Sequence, residues 1–199
     1  MFMFDIETLG IESNSVILSM ACIYFNPAEK LESISLESIS MDVRYRQLVD
    51  SAFFVKLDVN DQRQRLGRTD TQSTLDWWQG QSESAKLLSF YKSSEDVTAE
   101  IAIEQLRDWS KQFHNSNSCA VWARGNLDQM AIGSLENACN IPTVFHFGRW
   151  RDVRTAVDLL TGSANGYCDI KDFDKNQVLK HDPRHDCAYD IMMLLYGNK

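Results

Sequence analysis

Apolar and polar residues change rhythm several times along this chain, and each change marks an element. Met1–Ile6 is a short apolar run of the kind found in a buried strand, and Thr8-Leu9-Gly10 breaks it as a turn. Val16–Phe25 is longer, with β-branched and aromatic content, and stops at the turn pair Asn26-Pro27. Leu31–Ile39 alternates Leu and Ile with Ser and Glu, the two-residue period of a half-buried strand. These three runs predict an antiparallel meander. Phe53–Val59 reads as another strand or as an extended connector.

The rhythm then turns helical. Ser73-Thr74-Leu75-Asp76 offers a hydroxyl cap with an acid three places on, so a helix is expected from near Ser73. Between Glu95 and Phe113, Val97, Ile101, Leu106, Trp109 and Phe113 fall near helical spacing and predict an amphipathic helix. Cys119–Ala123 is strand-like and runs through Arg124-Gly125-Asn126 into a helical stretch reaching Asn140. Arg149–Val153 suits a short strand before another helix, and Gly162–Lys180 reads as loop. The last segment, Asp182–Tyr196, is helical, with Asp182 as cap and Pro183 at the first position. Strands followed by alternating helices and strands make an α/β protein.

Totals narrow the class. A length of 199 residues fits one domain spanning 1–199, and 44% apolar residues supply a sizeable core. A net charge of −8 argues against gripping long duplexes by charge neutralisation, since such domains are usually basic. It leaves room for an enzyme whose carboxylates hold cations. From Arg44 to Arg68 six Lys or Arg face three Asp, which reads either as a phosphate-facing edge or as a solvated surface. Five scattered cysteines without CxxC pairing are expected to be free thiols in a reducing compartment. Asp5 and Glu7 interrupt the apolar start, which excludes a signal-peptide core, and Val16–Phe25 is far short of a membrane span. The expected location is cytoplasmic, with no membrane contact.

Candidate chemistry lies in three places. Asp5-Ile6-Glu7 on a strand aims two carboxylates at one face, and oxygen ligands of this kind suit Mg²⁺ or Mn²⁺. The plain alternative is a strand that ends at Phe4 with both acids in solvent. Asp128 opens a helix after a strand and a glycine turn, where α/β sheets tend to bind ligands, although a first-turn acid also stabilises a helix electrostatically. His185 and Asp190, five apart on the terminal helix, point about 140° from each other. That orientation suits a histidine approaching the metals from the side, as a base for water. His181 and His185 also have the spacing of a zinc pair, and two His-Asp doublets suggest a metal phosphohydrolase of the HD type.

Taken in order, Asp5-x-Glu7, Asp128 and His185-x4-Asp190 resemble the DEDDh 3′→5′ exonuclease superfamily. Within it, four segments look like the phage exonuclease A (DexA) type. They are Phe4–Gly10, Ser73–Ser82, Trp150–Thr155 and His181–Ala188. Exoribonuclease AS-like enzymes are more distant, Leu9 stands where Met is expected, and Asn126-Leu127-Asp128 lacks the usual aromatic before the acid. The resemblance implies a ribonuclease H-like mixed sheet, the meander plus further strands, flanked by helices. It implies two divalent cations, Mg²⁺ or Mn²⁺, held by Asp5, Glu7, Asp128 and Asp190, with His185 deprotonating the attacking water. The substrate implied is the 3′ end of single-stranded nucleic acid, DNA before RNA, released as nucleoside monophosphates, and a homodimer is implied as well.

For substrate contact the candidates are Thr8 and Leu9 (the latter as a wedge under the terminal base), Trp78 as a stacking surface, and Arg124 and Arg151 for phosphate. Trp77 and Trp78 cannot both face the core of one helix. Competing readings are a non-cutting nucleic-acid-binding module and a zinc hydrolase using His181 and His185.

Overall fold

The computed structural model describes residues 1–28, 39–113 and 118–198. Its five strands are β1 (Phe2–Thr8), β2 (Ile17–Tyr24), β3 (Phe53–Lys56), β4 (Val121–Ala123) and β5 (Trp150–Asp152). They form one mixed sheet in the order β3-β2-β1-β4-β5. The β1–β2 and β2–β3 pairs are antiparallel, whereas β1–β4 and β4–β5 are parallel. With its flanking helices this sheet is consistent with a ribonuclease H-like α/β fold. The third strand of the meander is β3, the segment whose sequence fitted strand or connector. Leu31–Ser38, most of the alternating run expected there, lies outside the described residues.

Seven helices frame the sheet among the described residues: α1 (Met41–Asp50), α2 (Val59–Leu66), α3 (Gln72–Gln79), α4 (Ala99–Ser110), α5 (Leu127–Ala138), α6 (Val153–Thr161) and α7 (Pro183–Tyr196). A helical turn, Glu83–Ala85, runs into a π-helical turn, Lys86–Phe90, after α3. Helices α1 and α2 carry no clean apolar stripe in sequence, but each has a capping side chain, Ser40 and Asp58. The cap position of α3 is Thr71, two residues before the expected Ser73, which sits inside the first turn.

Alternation along β1 divides the core. Phe2, Phe4 and Ile6 pack against Ile103 and Leu106 of α4 and Ile132 and Leu135 of α5. Met3 faces the opposite side with Tyr45 of α1, Val153 and Val157 of α6, and Cys187 and Ile191 of α7. Each such side chain contributes about 1.5–3 kcal/mol by leaving water. Asp5 and Glu7 share the parity of Met3, so they project to the side covered by α7. A third cluster joins Leu9, Val16 and Leu18 to Trp78 and Ala85. Among the described residues no helix is long and apolar enough to cross a membrane.

Candidate active site

Three parallel strands end at one edge of the sheet, where ligand sites of α/β proteins form. At this edge β1 presents Asp5 and Glu7. Beside it β4 stops at Ala123, and Gly125 turns the chain with φ +87°, a left-handed conformation that glycine adopts without strain. The Asp152 carboxylate at the end of β5 pins that turn: its Oδ1 accepts from the Gly125 amide at 3.1 Å and from the Arg154 amide at 3.1 Å. The turn delivers Asp128, in the first turn of α5, buried against the carboxyl end of β1.

The fourth contribution comes from the approach to α7. Asp182 caps the helix, accepting from the Arg184 amide at 3.0 Å, and Pro183 occupies its first turn as the sequence predicts. His181, just outside the helix, has φ +63°. Its amide donates to Asp186 Oδ2 at 3.1 Å, and its carbonyl accepts from Ser89 Oγ of the π-helical turn at 2.9 Å. So fixed, its Nδ1 lies 3.8 Å from Glu7 Oε1, and its ring sits edge-on to Trp77 at 4.6 Å between centroids. Glu7, His181 and Asp186 each turn a ligand atom inward, all within 4.8 Å of one another.

The electrostatics are those of crowded acids. Burial, then Asp128, Asp186, Glu7 and Asp190 together, raise the Asp5 carboxyl far above its usual range. Glu7 is raised by burial and by Asp186 and Asp128. Burial pushes Asp128 up to about 7, against a hydrogen bond from the Ile6 backbone. Asp186 is likewise pushed up to about 7 by burial and by Asp190. Carboxylates held this close repel one another unless a cation lies among them. The donor set is all oxygen apart from one imidazole, and that fits a hard divalent cation such as Mg²⁺ or Mn²⁺. His181 is lowered by burial and by Lys180, and His185 by burial.

Two residues expected at the centre are engaged elsewhere. His185 turns away from the carboxylates: its Nδ1 is 2.6 Å from the Tyr45 hydroxyl and accepts from the Leu179 amide at 3.3 Å. Asp190 lies near the other acids but is tied to Arg124, with contacts of 2.5, 3.1 and 3.2 Å. The same contacts remove Arg124 from the phosphate candidates, since its charge is matched by Asp190 and its plane covers the Tyr167 ring at 4.1 Å. The two imidazoles are held by different partners, His185 Nδ1 by Tyr45 and the Leu179 amide and His181 Nδ1 beside Glu7.

The expected substrate contacts also divide. Leu9 is 2% exposed and packs in the core with Val16, Leu18 and Trp78, so little of it is presented to a base. Trp78 is 0% exposed, its indole N–H donating to the Thr8 carbonyl at 3.0 Å, whereas Trp77 is 43% exposed. The helix had room to bury one of the two indoles, and it buried Trp78. The Thr8 hydroxyl donates to the Gly10 carbonyl at 2.6 Å. Arg151 remains exposed, bonded to the Gly148 and Trp150 carbonyls. The basic stretch before Gly67 is largely spent on ion pairs, Arg63 with Asp70 and Arg65 with Asp61 and Glu100. Arg68 is buried on the Ser13 and Ser15 carbonyls.

The model of the 3'-5' exoribonuclease Rv2179c-like domain family matches residues 1–196. An exodeoxyribonuclease of Enterobacteria phage T4 is 26% identical over 213 residues, covering 98% of this chain and 88% of the phage protein. The chain therefore belongs to the Rv2179c-like family and is a 3'-5' exonuclease.

Proposed function

We propose that this enzyme removes nucleotides one at a time from the 3′ end of single-stranded DNA, releasing nucleoside 5′-monophosphates, with Asp5, Glu7, Asp128 and Asp186 as its metal-binding carboxylates and His181 as its base. Two divalent cations, Mg²⁺ or Mn²⁺, would activate the water and stabilise charge on the leaving oxygen. The observation that carries the reading is the convergence of Glu7, His181 and Asp186 beside Asp5 and Asp128. His181 and Asp186 replace His185 and Asp190 in these roles because the latter two are committed to Tyr45 and Arg124. A lowered His181 stays neutral near pH 7 and is able to accept a proton from water, and hydrogen bonds at its amide and its carbonyl hold its backbone in place. Asp186 both receives the His181 amide and faces the cluster, so one carboxylate orients the base and completes the acid set. The exposed face of Trp77 offers a base a stacking surface next to His181.

DNA is favoured by the name of the phage relative, exodeoxyribonuclease; RNA is the second reading, favoured by the exoribonuclease description of the family. The test is end-labelled single-stranded DNA, single-stranded RNA and blunt duplex, each with Mn²⁺, Mg²⁺ or EDTA. The reading requires laddering from the 3′ end of single-stranded DNA that EDTA stops, with duplex cut more slowly. Faster cleavage of RNA would transfer the assignment to the second reading. The five free thiols suit a cytoplasmic enzyme, and the homodimer that the resemblance implies is checked by its mass in solution.

A further inference from the structure

The sheet gives the site two unlike sides. His181 lies towards β2, held by Ser89, whose hydroxyl also contacts Ser19 of β2 at 3.2 Å. On the other side, beyond Asp128, a hollow of about 300 Å³ opens between the first turn of α5 and the end of β5. Gly125, Asn126, Gln129, Trp150 and Arg151 line it, so two side-chain amides and a guanidinium belong to residues around the hollow. Arg154 borders it, its Nη2 donating to the Arg124 carbonyl at 3.2 Å and lying 3.3 Å from where a Gly125 Cβ would stand. The one acid in the lining, Asp152, is occupied by the Gly125 and Arg154 amides and by the Thr155 hydroxyl at 2.7 Å. The hydrogen bonds of Arg151 and Arg154 go to carbonyl oxygens. Among the described residues neither guanidinium forms a salt bridge with a carboxylate, so both retain N–H donors for a phosphate.

Hydrolysis by in-line displacement fixes which part of the substrate comes here. Water attacks phosphorus, the bond from phosphorus to the 3′ oxygen of the penultimate nucleotide breaks opposite it, and that oxygen leaves with a proton. With the base on the β2 side, the leaving oxygen and the nucleotide that carries it lie on the β4–β5 side. We infer that the hollow between α5 and β5 is the subsite for the penultimate nucleotide, with Asn126 and Gln129 facing its nucleoside and Arg151 and Arg154 binding its 5′-phosphate. This rests on the assignment of His181 as base. A guanidinium binds a phosphate through paired N–H donors, so loss of either arginine weakens a contact that a dinucleotide without a 5′-phosphate never makes.

The experiment compares the dinucleotides NpN and pNpN, which share the scissile bond and differ only in the phosphate assigned to this subsite. Wild-type enzyme with Mn²⁺ is expected to show kcat/KM about tenfold higher on pNpN, in line with one charge-assisted contact. Arg154→Gln and Arg151→Gln should each reduce that preference at least threefold, and the double variant should abolish it. Equal rates on the two dinucleotides by wild-type enzyme, or a preference that survives in the double variant, would overturn the subsite. Failure to cut any single strand would instead defeat the exonuclease mechanism proposed above.

Discussion

The Tyr45 hydroxyl and His185 Nδ1 stand 2.6 Å apart, and the Leu179 amide approaches the same nitrogen at 3.3 Å. A nitrogen that accepts from a backbone amide carries no proton, which leaves the ring proton on Nε2 and makes Nδ1 an acceptor for the tyrosine as well. Helix α1 is thereby joined to the turn that leads into His181. Under the mechanism proposed above, His185 is then a positioning residue, one that acts on the reaction only through the loop it holds.

From this follows a contrast between the two histidines. His181→Ala should lower kcat at least a hundredfold, the range expected for loss of a general base, with folding intact. His185→Ala should lower kcat less than tenfold while leaving the Tyr45 hydroxyl unsatisfied, at about 1–3 kcal/mol. Steady-state rates and thermal melts of the two variants decide it. A hundredfold loss in His185→Ala with full activity in His181→Ala would restore His185 as the base.

Two acids on one face of α7, about 40° apart, should respond to neutralisation with opposite signs. Asp186 has its folded pKa raised to about 7, so its ionisation above that pH costs stability that the unfolded chain does not lose. Asp186→Asn should then raise the melting temperature of metal-free protein at pH 8 while cutting turnover at least a hundredfold. Burial raises the Asp190 carboxyl as well, yet Asp190→Asn leaves the largely buried Arg124 guanidinium without its partner carboxylate and should lower the melting temperature. Calorimetry in EDTA reads both, and shifts of equal sign would contradict the division of roles.

The tryptophans separate binding from packing. Trp77→Ala should raise KM on short oligonucleotides about tenfold or more, given stacking of roughly 1–3 kcal/mol per base, with little change in melting. Trp78→Ala removes a fully buried ring and should cost about 3–5 kcal/mol of stability. Unchanged KM in Trp77→Ala would leave its exposed face without a role in substrate binding.

A pH effect is expected far from the site. Glu136 is buried, its Oε1 accepting from the Val144 amide at 2.7 Å, and burial pushes its carboxyl up to about 7. A raised carboxyl keeps its proton in the folded state after the unfolded chain has lost its own, so its contribution falls as pH rises from about 4.5 to 7. Glu136→Gln should flatten the fall in stability over that window relative to wild type, as measured by urea unfolding at pH 5 and pH 8. Parallel curves for the two proteins would show that Glu136 titrates as it does in the unfolded chain.

Much of this was readable from the chain. The period of two in β1 put Asp5 and Glu7 on one face, and Asp182-Pro183 fixed the start of α7 to the residue. The same cap held the means of choosing between histidines. His181-x4-Asp186 and His185-x4-Asp190 have identical spacing, and the helical geometry that turns His185 away from Asp190 does not bind His181, which precedes Pro183. What no pattern revealed was competition for partners. Tyr45, 140 residues from His185, and Arg124, 66 residues from Asp190, claim those side chains through contacts formed only on folding. The choice of which indole to bury likewise depends on the Thr8 carbonyl and on Phe90, stacked 5.5 Å from Trp78.

The positive φ at His181 has a price in design terms. A left-handed residue with a Cβ carries roughly 1–2 kcal/mol of strain, and glycine would relieve it. Glycine has no imidazole, so the relaxed backbone and the base proposed above exclude each other at this position. On that proposal, a search for thermostable variants that scores stability alone will favour replacing His181 and will return a sturdier, inert protein.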